Sequence, residues 1–199
     1  MKPELPNNLV WGFHGTCDRY ALLHLRRGIP STTFSGDWLG NGAYFWEQDM
    51  ERAHHWARTK VVPKTGGRPV VLGALIDLSN CLDFTTMNHR QLYSDVAEAV
   101  YENMPTQQKE ELKQSYYVRQ FDCLVIESIL AHPRYWINGE KYTTVRGAFA
   151  EGESIFRSPD GRIASQIRSL DHIQINVVER SAIKYMAAVP KYRTFYRHP

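Results

Sequence analysis

The chain has 199 residues, 43% hydrophobic and 23% charged, a composition that suits one globular domain over residues 1–199 with enough length to bury a core. Its 24 Lys and Arg against 21 Asp and Glu leave a formal charge of +3, which permits contact with a polyanion but is too sparse for a dedicated duplex-DNA binder. Cys17, Cys81 and Cys123 are odd in number, far apart and outside any C-x-x-C pairing, which argues against a disulfide framework and a metal site. The opening MKPELPNNLVWG lacks a signal-peptide core and no apolar run approaches about 18 residues, so a cytoplasmic protein without a membrane span is expected.

In chain order, Leu9 to His14 reads as a short strand stopping at Gly15-Thr16. Asp18 then opens a helix through Tyr20, Leu22, Leu23 and Leu25 that ends at Gly28. Ile29 to Asn41 mixes Pro, Ser, Thr and Gly and reads as a loop. Gly42 to Trp46 is a second compact strand, followed by helical spacing over Met50 to Lys60 with Ala53, Trp56 and Ala57 on one face. After the turn at Pro63 to Gly67, Val70 to Ile76 is an apolar strand. Asn88 to Gln114 carries one or two surface helices, Asp122 to Ile129 reads as a buried strand, and Arg134 to Lys141 turns. Thr143 to Phe149 and His172 to Val178 read as strands around a polar loop, Ala150 to Leu170. Short strands interrupted by helices of uneven length fit an α+β domain.

Two segments carry chemistry: Phe13-His14-Gly15-Thr16, and, about thirty residues on, Leu39-Gly40-Asn41-Gly42-Ala43-Tyr44-Phe45-Trp46 with its Ala-rich helix. A strand-end imidazole suits a ribose hydroxyl, and a glycine beside it lets a flat amide approach the main chain. In this order they resemble the H-Y-[E/Q] branch of the ADP-ribosyltransferase superfamily, which includes the poly(ADP-ribose) polymerases and bacterial toxins. The resemblance covers the first third of the chain well and the last third loosely. It implies a split β-sheet core with flanking helices and NAD⁺ as co-substrate, without a metal. It also implies that His14 binds the nicotinamide ribose, that Gly15 holds the carboxamide with Thr16 flanking it, and that Tyr44 stacks on the nicotinamide ring. Trp38 would lie in the loop over the adenosine half, stacking on adenine or packing into the core. Eight residues after Tyr44, where the polymerases often have serine, stands Arg52; eleven after, where they have a second aromatic, stands His55. Arg52 would suit the diphosphate and His55 could stack on the ring, although a solvated helix face accounts for both equally well.

For the third catalytic position, Gln174 shares a strand face with His172 and Asn176 by alternation. By place it resembles the triad's third residue, with Gln for the usual Glu. An amide accepts a hydrogen bond but neither takes a proton nor carries negative charge, which favours mono-ADP-ribosylation over chain elongation. Glu151, before Gly152, is the alternative source of a carboxylate and a general base. Arg146 would anchor a phosphate bidentately or pair with a neighbouring acid. Arg157, Arg162 and Arg168 lie in the loop where this superfamily meets its target and suit a phosphate-bearing acceptor. The basic and aromatic tail Lys191 to Arg197 suits single-stranded nucleic acid. The expected function is mono-ADP-ribosylation of a macromolecular acceptor, nucleic acid ahead of protein, by a small bacterial toxin-type enzyme with an antitoxin partner. An NAD⁺ glycohydrolase, an RNA 2′-phosphotransferase and a non-catalytic ADP-ribose-binding module remain as alternatives on the same fold.

Overall fold

A computed structural model describes residues 8–32, 37–112 and 118–190, with the side chains of 118 and 119 excepted; the tail Lys191 to Arg197 lies outside them. Strand β1 (Leu9–Cys17) runs three residues beyond His14 and passes directly into helix α1 (Asp18–Arg27), whose stop at Gly28 uses a φ of 82°. After the loop comes β2 (Ala43–Glu47). Helix α2 (Met50–Trp56) follows, capped by Asp49, whose Oδ1 accepts from the Arg52 amide at 2.8 Å. A wide π-helical turn, Ala57–Val61, carries it into α3 (Val62–Thr65) just before Pro63, which has no amide proton to donate. Then come β3 (Pro69–Asp77), β4 (Cys81–Asp83), α4 (Met87–Glu102), α5 (Thr106–Glu111) and α6 (Val118–Ala131). The last strands are β5 (Thr144–Phe149), β6 (His172–Val177) and β7 (Ile183–Ala188).

The strands form one mixed, seven-stranded sheet in the order β4-β5-β6-β2-β1-β3-β7, with β4 and β5 parallel and the other pairs antiparallel. The architecture is therefore α+β, as the uneven pattern of elements implied. One core cluster packs α4 and α6 on the β4–β5 side through Leu82, Val96, Val125, Ile126, Ile129 and Val145. A second joins Phe45, Ala74, Ile76 and Ile175 across β2, β3 and β6, and a smaller one puts Trp46 and Val71 under Ala53 of α2. Among the described residues no helix is long and apolar enough to cross a membrane.

Asp122 to Ile129, expected as a buried strand, is the middle of α6. Its β-branched Val125, Ile126 and Ile129 favour a strand locally, but Cys123, Ile126, Ile129 and Leu130 fall at helical spacing and are buried, while Leu124 is exposed. Two strands do not stand out in the sequence: β4 is only three residues long, and the six residues of β7, Ile-Lys-Tyr-Met-Ala-Ala, do not alternate between apolar and polar. The turn at Asn138-Gly139 is as expected: φ values of 52° and 77° join Ile137 to Glu140 in a two-residue reversal.

Candidate functional site

The sheet opens between its two central strands. β1 pairs with β3 over its whole length, but with β2 only at Gly12↔Glu47 and Phe13↔Trp46. The Trp11 carbonyl accepts from Gln48 N, so by alternation the main-chain groups of Gly15 also face β2. The ladder has stopped there. The Tyr44 carbonyl, which would have received the Gly15 amide, instead accepts His14 Nδ1–H at 2.9 Å. Gly15 is also the point of closest helix approach: a Cβ on it would lie 2.1 Å from the Ala53 carbonyl oxygen of α2.

A cavity of about 360 Å³ fills the opening. β1 contributes His14, α1 His24, and the following loop Ile29, Pro30, Thr32, Asp37 and Trp38. Tyr44 and Trp46 enter from β2, Arg52 and Trp56 from α2, His172 and Gln174 from β6, and Glu151 from just beyond β5. Tyr44 stands opposite Asn176 and Trp46 opposite Gln174, so these side chains share the face of His172.

Burial holds the His14 imidazole unprotonated, lowering its pKa to about 4 against the pull of the Tyr44 carbonyl, with the nearby His24 lowering it further. Because a carbonyl only accepts, Nδ1 carries the proton and Nε2 presents a lone pair. The Tyr44 hydroxyl accepts from Leu39 N at 2.9 Å and donates to the Gly40 carbonyl at 2.7 Å, and burial raises its pKa. The phenol is thus an anchor for the Leu39-Gly40 turn. Arg52, 7% exposed, donates from Nη2 to Glu151 Oε2 at 2.7 Å. His172 lies 3.8 Å from the same oxygen, its Nδ1 donating to the Leu170 carbonyl at 2.7 Å. The Arg52 guanidinium also sits 5.4 Å from the Trp46 ring centroid.

Six residues singled out in the sequence, His14, Trp38, Tyr44, Arg52, Glu151 and Gln174, line this one cavity. Trp38 both lines it and packs on Phe149, with ring centroids 4.5 Å apart. Gly15 borders the opening through its backbone alone. Thr16 is buried beyond the split, with 2% exposure, and does not line the cavity. His55 does not line it either; the aromatic that does is Trp56, four residues after Arg52 and so on the same helix face. Of the two alternatives for Arg146, the structure has the second: its guanidinium pairs with Glu47 at 2.5 and 2.8 Å and with Asp83 at 3.0 Å, tying β2, β4 and β5 together. Those bonds, led by Glu47, raise its pKa. Arg157 and Arg162 lie on an exposed arm, residues 154–168, closed by the bridges Ser154↔Arg168 and Arg157↔Ala164, and do not line the cavity; Arg162 approaches Asp160 at 3.6 Å.

Sequence reasoning missed Trp46 and His172 as lining residues: alternation had put His172 on the face of Gln174 without giving it a role, and the same rule puts Trp46 on the face of Tyr44. It also missed a second cavity of about 610 Å³ that shares His24, Ile29 and Pro30 with the first and is bordered by Tyr20, Leu23, Arg27 and Arg180. Neither arginine has an ion pair among the described residues. The chain matches no known protein-family model and no curated protein at a significant level.

Proposed function

We propose that the chain is an NAD⁺-dependent mono-ADP-ribosyltransferase. The observation that carries this reading is the convergence of His14 and Tyr44, thirty residues apart, on one cavity at a split between strands, beside the Glu151 carboxylate. The neutral His14 Nε2 accepts a ribose hydroxyl, the free amide and carbonyl of Gly15 take the carboxamide, and the Tyr44 ring stacks on the nicotinamide. The first cavity is at the small end of the roughly 300–1,000 Å³ that enclose a drug-sized ligand, so a dinucleotide extends into the second. There Arg27 and Arg180 suit the diphosphate better than Arg52, whose charge Glu151 already compensates. The bond from the nicotinamide nitrogen to ribose C1′ breaks, and its electron pair leaves with the ring. An acceptor oxygen or nitrogen then bonds C1′ and gives its proton to Glu151 or to water.

A carboxylate held beside the cavity by Arg52 replaces the one that Gln174 lacks. Modification of a cell's own macromolecules demands restraint, so a toxin-type role with a dedicated antitoxin is the biological setting that follows. Incubation with NAD⁺ labelled in its adenosine half tests the reading. Label should pass to a macromolecular fraction of cell lysate, and His14→Ala should abolish it. Free ADP-ribose alone would make the protein a glycohydrolase, and intact NAD⁺ a binding module.

A further inference from the structure

The acceptor can be approached from the surface beside the cavity, on the premise that the transferase reading holds. Between Glu51 and Asp77 the chain has no acidic residue but carries Arg52, Arg58, Lys60, Lys64 and Arg68. Two of these are neutralised, Arg52 by Glu151 and Arg68 by Asp18 at 3.1 Å. The other three, Arg58, Lys60 and Lys64, are exposed and make no ion pair among the described residues. They stand on the π-turn and α3, the direct continuation of the helix whose first turns supply Arg52 and Trp56 to the cavity. Arg19 joins them at the far end, where its guanidinium donates to the Thr65 carbonyl at 2.8 Å.

We propose that this cationic ridge, running from the cavity mouth at Trp56 through Lys60 and Lys64 with Arg58 on its flank, is the track on which a single-stranded nucleic acid lies as acceptor. From Arg58 to Lys64 the helix advances at most about 9 Å at 1.5 Å per residue. Lys60 and Lys64, at four-residue spacing from Trp56, share its face and lie about 6 Å apart along the axis, within one Debye length of about 8 Å at physiological salt, while Arg58, two residues from Lys60, projects from the other flank. The field of these charges is local: α4 and α5 carry Asp95, Glu98, Glu102, Glu110 and Glu111 against Arg90 and Lys109, and the near-neutral total hides this polarity. A polyanion is therefore steered to one side of the molecule.

The occupant follows from what the ridge has and what it lacks. Protein interfaces centre on apolar anchors, and no large hydrophobic side chain is exposed between Ala57 and Arg68. Trp56, 37% exposed where the ridge meets the cavity, offers a face on which a base can stack. A single strand fits better than a duplex, because the reacting group has to enter a cavity, and an unpaired nucleotide does so without unstacking a helix.

The test is fluorescence anisotropy with a labelled 12-nucleotide RNA at several salt concentrations, on wild type and on the triple variant Arg58→Gln, Lys60→Gln, Lys64→Gln. NAD⁺ consumption without acceptor is measured in parallel. The variant should bind at least about tenfold more weakly at low salt. The slope of log affinity against log salt should flatten by about 1.4, from about 0.7 for each of the phosphate contacts at Lys60 and Lys64. Basal NAD⁺ consumption should not change, because none of the three residues lines the cavity. Wild type that fails to bind the RNA, or a variant with the wild-type slope, overturns the ridge even if NAD⁺ is consumed and label passes to protein. A flattened slope with no NAD⁺ consumption upholds the ridge and removes the transferase reading instead.

Discussion

Tyr44→Phe separates the two roles that the structure gives to one side chain. The ring borders the cavity and packs against the core, while the hydroxyl bridges Leu39 N and the Gly40 carbonyl. Removing the oxygen leaves Gly40 with the Asn176 amide at 3.2 Å, but the Leu39 amide loses its partner in a residue only 2% exposed. An unpaired buried donor costs about 1–3 kcal/mol, which lowers the melting temperature of a chain this size by about 2–12 °C. The stacking face survives, so kcat/KM for NAD⁺ should stay within about threefold of wild type, under about 0.7 kcal/mol of transition-state stabilisation. Tyr44→Ala is a poorer probe, because losing the ring adds about 3–5 kcal/mol of core disruption and releases the turn that holds Trp38. Thermal melts by circular dichroism and chromatographic NAD⁺ consumption give both readouts on one sample. A Phe variant that melts like wild type yet turns over a hundredfold more slowly would refute the reasoning, since the hydroxyl would then serve chemistry rather than the turn.

Gly15→Ala forces a methyl group against the Ala53 carbonyl, a backbone atom that cannot swing aside. It should destabilise the protein by about 1–3 kcal/mol, and an unchanged melt would mean that β1 and α2 are not held in contact. Glu151→Gln should slow transfer more than Gln174→Glu does, and adding Arg52→Met to Glu151→Gln should recover stability without recovering activity; the reverse ranking in a label-transfer assay assigns the carboxylate role to β6. The His14 value of about 4 lies below the ordinary 6.5. As pH falls through that interval the unfolded chain takes a proton that the folded chain refuses. Stability therefore drops with acidification, by about 3 kcal/mol in total. Denaturant titrations of wild type and His14→Gln should diverge between pH 6.5 and 4, and parallel curves would show that the imidazole is not buried.

What was legible in the sequence was what local rules govern. The first strand, the Gly-x-Tyr-Phe strand and the helix after it follow from patterns a few residues long, though β1 runs on to Cys17, and with the resemblance those patterns carry they nominated His14, Tyr44 and Arg52. Alternation on β6 put Gln174 on the same face as Asn176, and the cavity takes it from there. Pairings across long stretches of chain were not legible. Arg146 meets Glu47 at a separation of 99 residues and Asp83 at 63, and Arg52 meets Glu151 at 99. Each arginine therefore looked available for phosphate when it already had a carboxylate. The second cavity was hidden for the same reason, since Arg27 and Arg180 come together only when the turn before β7 folds back over Gly28. The middle of α6 misled differently: Cys123-Leu124-Val125-Ile126 is too short an apolar run to show a helical period, and its β-branched content then points the wrong way.

The charges around the cavity bear on which reaction it can favour. Asp37 and Glu151 stand against Arg52, a formal excess of one negative charge, and the rest of the lining is aromatic rings, imidazoles, the apolar Ile29 and Pro30 and the uncharged polar Thr32 and Gln174. On the transferase reading the positive charge of the pyridinium passes to the sugar as the bond breaks, so the cavity faces a cation before and during cleavage but a neutral nicotinamide afterwards. Negative excess and ring faces favour the first two states over the last. A protonated His14 would oppose both, and burial in the split prevents that at neutral pH. The early end of the β1–β2 ladder therefore does two things at once. It leaves the Gly15 main chain unpaired toward β2, where the transferase reading puts a carboxamide, and it redirects the Tyr44 carbonyl to fix the tautomer of the His14 imidazole, which that reading puts on the ribose. Restoring the ladder would close the cavity and leave His14 without the bond that orients it, so the site and the break in the sheet are one feature.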